Sequence, residues 1–193
     1  MVDQLDKHKL FIVVLGGRTN TSHIELHDVR WVVGRQIEDT FFQLRHQWFG
    51  NNEGLHIDSY VEIRFIDGYK IFLQHNSKSK VNEITNIKKM NCVTKSLWFV
   101  NLGGYSPEKL NESHEFGLFV AESAYEARTL AKKRLLKGMR QIHKDDISRI
   151  NQIDLIDDLY PLKLIDGWEV HLIPDPKCRS QKLSPDWYGY FKI

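Results

Sequence analysis

The sequence predicts an α+β protein built from two tandem ββαββ units, each an antiparallel sheet with one helix, packed with pseudo-twofold symmetry. Three observations carry that expectation. An eight-residue motif occurs twice, as LFIVVLGG over 10–17 and as LWFVNLGG over 97–104. The same shift, 97 − 10 = 87, also brings Glu25, His27, Val33, His56 and Asp58 onto Glu112, His114, Val120, His143 and Asp145. Lastly, Ile66-Asp67-Gly68-Tyr69 returns as Ile165-Asp166-Gly167-Trp168 at a shift of 165 − 66 = 99, so the second copy holds about twelve more residues (99 − 87). Matches this dense in one register mark an internal duplication.

Each copy then reads the same way. The opening motif is a short apolar run stopped by Gly-Gly, which is a strand. ELHDVRWVV and ESHEFGLFV alternate and form second strands. A helix follows. In copy one, Ile37, Phe41, Leu44 and Trp48 recur at helical spacing and Gly50 supplies the stop. In copy two, Ser123 and Glu126 make a capping box, and Ala124, Ala127, Ala131 and Leu135 form the apolar stripe before Gly138. YVEIRFIDGYKIFL and LYPLKLIDGWEVHL close each unit as hairpins, because Asp-Gly supplies the positive φ angles of a two-residue turn. One helix per sheet covers one face and gives a two-layer unit.

These elements divide the chain into a first repeat over 9–74, a polar linker over 75–95 and a second repeat over 96–173 with its insertion around 147–158. The tail over 174–193 contains Pro174, Pro176 and Pro185, then WYGYF, and is expected to pack on the body. Hydrophobic residues make up 41% and charged residues 27%, enough for a core. A net charge of +2 gives no reason to expect nucleic acid or a membrane surface as an obligatory partner. Cys92 and Cys178 are too few for a disulfide framework and read as free thiols. With no long apolar run and no small-residue cleavage region at the start, a cytoplasmic protein is expected.

The pattern LGG, IELHDVRWVVG, IEDTFFQLRHQWFG, LHIDSYVEI, DGY resembles the bacterial family of domain of unknown function 1543. The resemblance covers nearly all of residues 9–173 and is closer in the first copy. It implies a tandem-duplicated form, common in that family, and brings no activity with it.

Three sets of residues are candidates for function. Gly16 and Gly17, with Gly103 and Gly104, end strands and either expose backbone N–H groups as an anion nest or allow close backbone approach. No helix starts at once after them and no P-loop lysine is present, which favours close approach. The second set is Glu25, His27 and Asp28 with His56 and Asp58, matched by Glu112, His114, His143 and Asp145. Residues two apart on a strand share a face, so each His joins a carboxylate. If both segments of one unit meet, two imidazoles and two carboxylates converge, a set suited to zinc, manganese or iron or to acid–base chemistry near neutral pH. The competing role is structural, a histidine bonded to a loop carbonyl and oriented by a neighbouring carboxylate. The third set is the basic run Arg128, Lys132, Lys133, Arg134, Lys137, Arg140 and Lys144. It reads as a solvated helix face, since no RNA-binding signature accompanies it.

The leading expectation is therefore a small-ligand-binding or protein-interaction module, with a metal-dependent or acid–base enzyme acting on a small polar substrate as the alternative. Nucleic-acid binding through the basic helix stands behind both. The sequence specifies no cofactor, substrate or oligomeric state. Copy one keeps Glu25-Leu26-His27-Asp28, whereas copy two gains an insertion with Asp154, Asp157 and Asp158. Pocket chemistry is expected mainly in copy one, and packing or partner contact in copy two, because loops accept such additions at small cost.

Overall fold

The computed structural model describes residues 8–76, 95–137, 159–177 and 180–193. They form an α+β fold in which every paired strand is antiparallel. The chain divides into two compact units. One holds the described residues up to 76 and from 164 onward; the other holds those between 95 and 163.

In the first unit, β1 (Lys9–Gly17) runs between β2 (Leu26–Gly34) and β3 (His56–Ile63), and β11 (Trp187–Lys192) adds to the outer side of β3. Strand alternation sends Phe11, Val13 and Leu15 to one face. There they join Val32, Ile37, Leu44, Trp48, Leu55, Ile57 and Ile193 in one buried cluster. Leu10, Ile12 and Gly16 occupy the opposite face. The predicted helical stripe is real, but it is split into a 3-10 turn over Ile37–Thr40 and α1 (Phe41–Gln47). Thr40 Oγ1 donates to the Ile37 carbonyl at 2.6 Å, and the Asp39 carboxylate accepts from the Arg35 and Gln36 N–H groups, which tightens this first turn.

Gly50 does not stop the helix. Trp48 already leaves helical geometry at φ −67°, ψ 131°, and the Trp48 Nε1–H donates to the Asn51 carbonyl at 3.1 Å. Gly50 is small because the Arg18 carbonyl lies 2.6 Å from where its Cβ would stand.

The chain bends sharply after β3. Gln181 Oε1 accepts from the N–H groups of Arg64 and Phe65 at 2.6 and 2.9 Å, and its amide donates to the Glu62 carbonyl at 2.8 Å. Beyond this clamp, β4 (Phe65–Ile66) and β5 (Tyr69–His75) form a hairpin shorter than the one expected from YVEIRFIDGYKIFL, because the residues up to Ile63 stay in the first sheet as part of β3. Asp67 and Gly68 sit at φ 49° and 82°, the positive pair that a two-residue turn requires. The second Asp-Gly hairpin, β9 (Leu164–Ile165) and β10 (Trp168–Pro174), repeats this with φ 53° and 81°. The two hairpins pair β5 to β10 from Tyr69↔Pro174 to His75↔Trp168, giving a sheet of order β4-β5-β10-β9 within the first unit.

In the second unit, β6 (Ser96–Gly104) pairs with β7 (Ser113–Ala121) and with β8 (Leu159–Pro161). The registers follow the sequence shifts. Leu10↔Val33 and Gly16↔His27 correspond to Leu97↔Val120 and Gly103↔His114, and Val13↔Tyr60 corresponds to Val100↔Leu159. The helix α2 (Ala124–Arg134) is capped by Ser123 Oγ, which accepts from the Glu126 N–H; the reciprocal Glu126 carboxylate reaches the Glu122 N–H. Ala127, Ala131 and Leu135 are buried against Val100, Phe119 and Ala121. Lys132, Lys133, Arg134 and Lys137 are exposed, while Arg140, Lys144, Gly138, both cysteines, most of the 75–95 segment and the whole insertion lie outside the described residues. Among the described residues no helix is long and apolar enough to cross a membrane.

Candidate functional site

One row of the first sheet organises the site. Across the strands, Lys192, His56, Gly16 and His27 stand side by side in register. Partners in an antiparallel pair present their side chains on the same face, so His56 and His27 flank a residue with no side chain, on the face opposite α1. The gap at Gly16 is filled by its neighbours. His56 Nε2 lies 2.5 Å and Glu25 Oε1 2.6 Å from the point a Cβ would occupy. Gly16 is therefore a close-approach glycine. Gly17 plays the same part on the other face, where the Trp48 ring lies 2.8 Å from its would-be Cβ.

Asp58 reaches the row through two irregularities. On the β1 side, Leu15 pairs with Ile57 and Val14 with Ser59, so Asp58 is skipped as a bulge. On the β11 side, Phe191 pairs with Ile57 and Tyr188 with Ser59, leaving Gly189 and Tyr190 against Asp58. Bulges of this kind re-aim a side chain. Gly189, at φ 152°, supplies the local freedom, and the Tyr190 ring covers His56 with centroids 4.0 Å apart and planes at 29°.

The result is a compact cluster. His56 Nε2 lies 2.7 Å from Glu25 Oε1 and 3.2 Å from Asp58 Oδ1. His27 Nε2 lies 3.2 Å from Asp58 Oδ2 and 3.8 Å from Glu25 Oε1. His56 is 3% exposed, whereas His27 opens to solvent. On its far side, His56 Nδ1 is 2.9 Å from the Gly54 carbonyl. A carbonyl only accepts, so Nδ1 carries the hydrogen, and Nε2 faces the two carboxylates. A neutral imidazole would turn its lone pair toward two anionic oxygens. A shared proton or a bound cation between these atoms would offset that repulsion. Ligand atoms of Glu25, His56 and Asp58 all lie within 4.8 Å of one another, close enough to share one ion.

Asp28 does not join them. It points to the helix side, where its carboxylate pairs with Arg30 Nη1, and Arg30 also donates to the Gln47 carbonyl at 3.2 Å. In the second unit, His114 Nε2 stands 3.5 Å from Glu112 Oε2, and His114 Nδ1 is 3.2 Å from Asn101 Nδ2. Glu112 also receives the Tyr105 phenol, whose pKa it raises through its charge and that hydrogen bond, with desolvation adding to both. Gly103 and Gly104 lie within the β6 ladder opposite His114 and Ser113. His143 and Asp145 are outside the described residues. The sequence reading did not single out Tyr190, nor the His171–Glu169 pair on β10 at 3.3 Å, which has the same two-apart spacing.

The family model for the Domain of Unknown Function (DUF1543) matches residues 22–73 and 109–172. This chain belongs to that family. The two matched segments of this DUF1543 chain are consistent with a tandem duplicated form, and the first of them holds Glu25, His27, His56 and Asp58. Among solved structures, the crystal structure of protein Il1583 from Idiomarina loihiensis is similar at 30% identity, with a TM-score of 0.65 over 95% of this chain and 96% of that one. Comparison with curated proteins gives no match.

Proposed function

We propose that the first unit is a divalent transition-metal site, held by His56, Glu25 and Asp58 with His27 at its open side, that binds or transforms a small polar ligand at the ion. The observation that supports this reading is the orientation of His56. Its Nδ1–H is committed to the Gly54 carbonyl, the arrangement by which proteins fix the ring of a metal-binding histidine. Two donors on one tetrahedral zinc stand about 3.4 Å apart, given bonds near 2.1 Å. His56 Nε2 and Asp58 Oδ1, 3.2 Å apart, lie near that value, as do His27 Nε2 and its two carboxylate neighbours at 3.2 and 3.8 Å, whereas His56 Nε2 and Glu25 Oε1 are closer, at 2.7 Å. Mixed imidazole and carboxylate donors suit zinc, manganese or iron. The exposed His27 edge gives an incoming ligand its access.

The 2.7 Å contact between His56 and Glu25 favours a second reading, in which a proton takes the ion's place and the cluster serves acid–base chemistry or orientation alone. Titration of metal-free protein with Zn²⁺ by calorimetry, and with Co²⁺ by visible absorption, separates the two. The metal reading expects about one equivalent bound and intense Co²⁺ bands of a low-coordinate site, both lost in His56→Ala and weakened in Glu25→Gln and Asp58→Asn. Absence of saturable binding, or binding indifferent to His56→Ala, overturns it in favour of the proton.

A further inference from the structure

The other face of β3 and β11 carries a second site, unrelated to the histidine cluster. Ile57 faces this side, and over it Tyr60, Phe41, Trp187 and Phe191 surround a cavity of about 130 Å³ with Glu38 at its edge. The size is close to the roughly 150 Å³ that holds a benzene-sized guest. The rings are set at several angles. Tyr60 and Trp187 are near parallel, 16° apart with centroids at 6.1 Å, while Phe191 stands at 89° to Trp187 and Phe41 leans on Phe191 at 44°. A guest among them meets aromatic surface on more than one side.

We infer that this cavity binds a quaternary or highly methylated ammonium group. Aromatic faces carry negative quadrupole potential and attract a cation within about 6 Å of the ring centroid. The one charged residue lining the cavity is Glu38, an exposed carboxylate with no ion pair among the described residues. An anion would face that carboxylate with no basic group to offset it. A primary ammonium would exchange its water shell for a wall with few acceptors, at a large desolvation cost. A methylated ammonium has a weak water shell and an apolar surface, so it matches both the rings and the single negative charge.

The test titrates the whole chain, at constant ionic strength, with choline, with tetramethylammonium and with the neutral isostere 3,3-dimethylbutan-1-ol. The Trp187 indole N–H resonance, assigned through Trp187→Phe, is followed by NMR. The expected result is saturable binding of both cations, with the alcohol at least about fivefold weaker. Trp187→Ala should abolish binding, and Glu38→Gln, a surface change that leaves the core intact, should weaken the cations about threefold without affecting the alcohol. The inference is overturned if no saturation occurs up to about 50 mM cation, if the alcohol binds as well as the cations, or if Glu38→Gln changes nothing.

Discussion

The rings of His56 and Tyr190 lie face to face, 4.0 Å apart, joining the last strand of the chain to the most buried histidine of the cluster. Tyr190 itself is largely exposed, so its ring contributes less as core than as a wall that keeps the imidazole plane aligned with Gly54 on one side and the carboxylates on the other. A stacked aromatic pair contributes about 0.5–1.5 kcal/mol beyond area burial. Tyr190→Ala is expected to weaken Zn²⁺ binding by about two- to tenfold, and Tyr190→Phe to leave it near wild type. Calorimetric titration of the two variants side by side checks this, and equal loss in both would assign the effect to the hydroxyl instead of the ring.

Gly16 makes a sharper prediction. A Cβ there would meet His56 Nε2 at 2.5 Å and Glu25 Oε1 at 2.6 Å, so Gly16→Ala must push the two donors apart. Overpacking of this kind destabilises by about 1–3 kcal/mol, and the ion site should be lost with it. Gly68→Ala is the control. It has free space around it but φ 82°, so it carries backbone strain of about 1–2 kcal/mol while leaving metal binding intact. Thermal melts paired with Zn²⁺ titration distinguish the two, and retention of full binding by Gly16→Ala would remove the close-approach account of this residue.

Much of the site was legible in the sequence because strand alternation is a local rule. His56 and Asp58 stand two apart on β3, and His27 on β2 stands two residues from Glu25, which lies just before that strand; that the two segments meet across β1 is not contained in the spacing. Asp28 failed by the same alternation: as the next residue along β2 it must face the other side, toward Arg30. The Asp-Gly turns and the alanine stripe of α2 were equally local and came out as expected. What was hidden depends on long-range register. The bulge that frees Asp58 arises from β3 meeting β1 and β11 with different residues skipped, and Tyr190 reaches His56 from more than a hundred positions away. The pairing of β5 with β10 is hidden likewise, since a hairpin's own pattern fixes its turn but not its neighbour.

Gln181 tests how the bend after β3 is held. One side chain closes three hydrogen bonds, to Arg64 N–H, Phe65 N–H and Glu62 C=O, from a stretch without regular structure. Gln181→Ala leaves those backbone groups to water or unpaired, at about 1–3 kcal/mol. For a chain of this size that lowers Tm by about 2–4 °C per kcal/mol. Gln181→Glu keeps the acceptor for the two N–H groups but loses the donor, and should fall between. If Gln181→Ala melts with the wild type, the clamp is ornamental and the bend is fixed by the two sheets it joins.

The carboxylate of Asp166 gives a pH-dependent prediction. It sits at the positive-φ corner of the second hairpin turn, and partial burial raises its pKa, with only partial relief from the Gln43 amide that donates to it. A raised acid binds its proton more tightly folded than unfolded. Its ionised form therefore opposes folding at pH values above the folded pKa, and that penalty fades as pH falls toward the unfolded value near 3.9. Asp166→Asn removes the charge and keeps both an acceptor for Gln43 and a side chain that tolerates positive φ. The variant should melt slightly above the wild type at pH 7, and the two curves should converge below about pH 4. Glu62 behaves in the opposite sense. Burial raises its pKa, but hydrogen bonds and charge from Arg64 and Lys9 outweigh that and leave it lowered, so Glu62→Gln should lose stability at pH 7 and converge with the wild type only as acid protonates the native carboxylate. Thermal melts of the three proteins between pH 3 and 8 read both signs at once, and a gap between Asp166→Asn and wild type that widened toward acid would contradict the assignment of Asp166 as a destabilising charge.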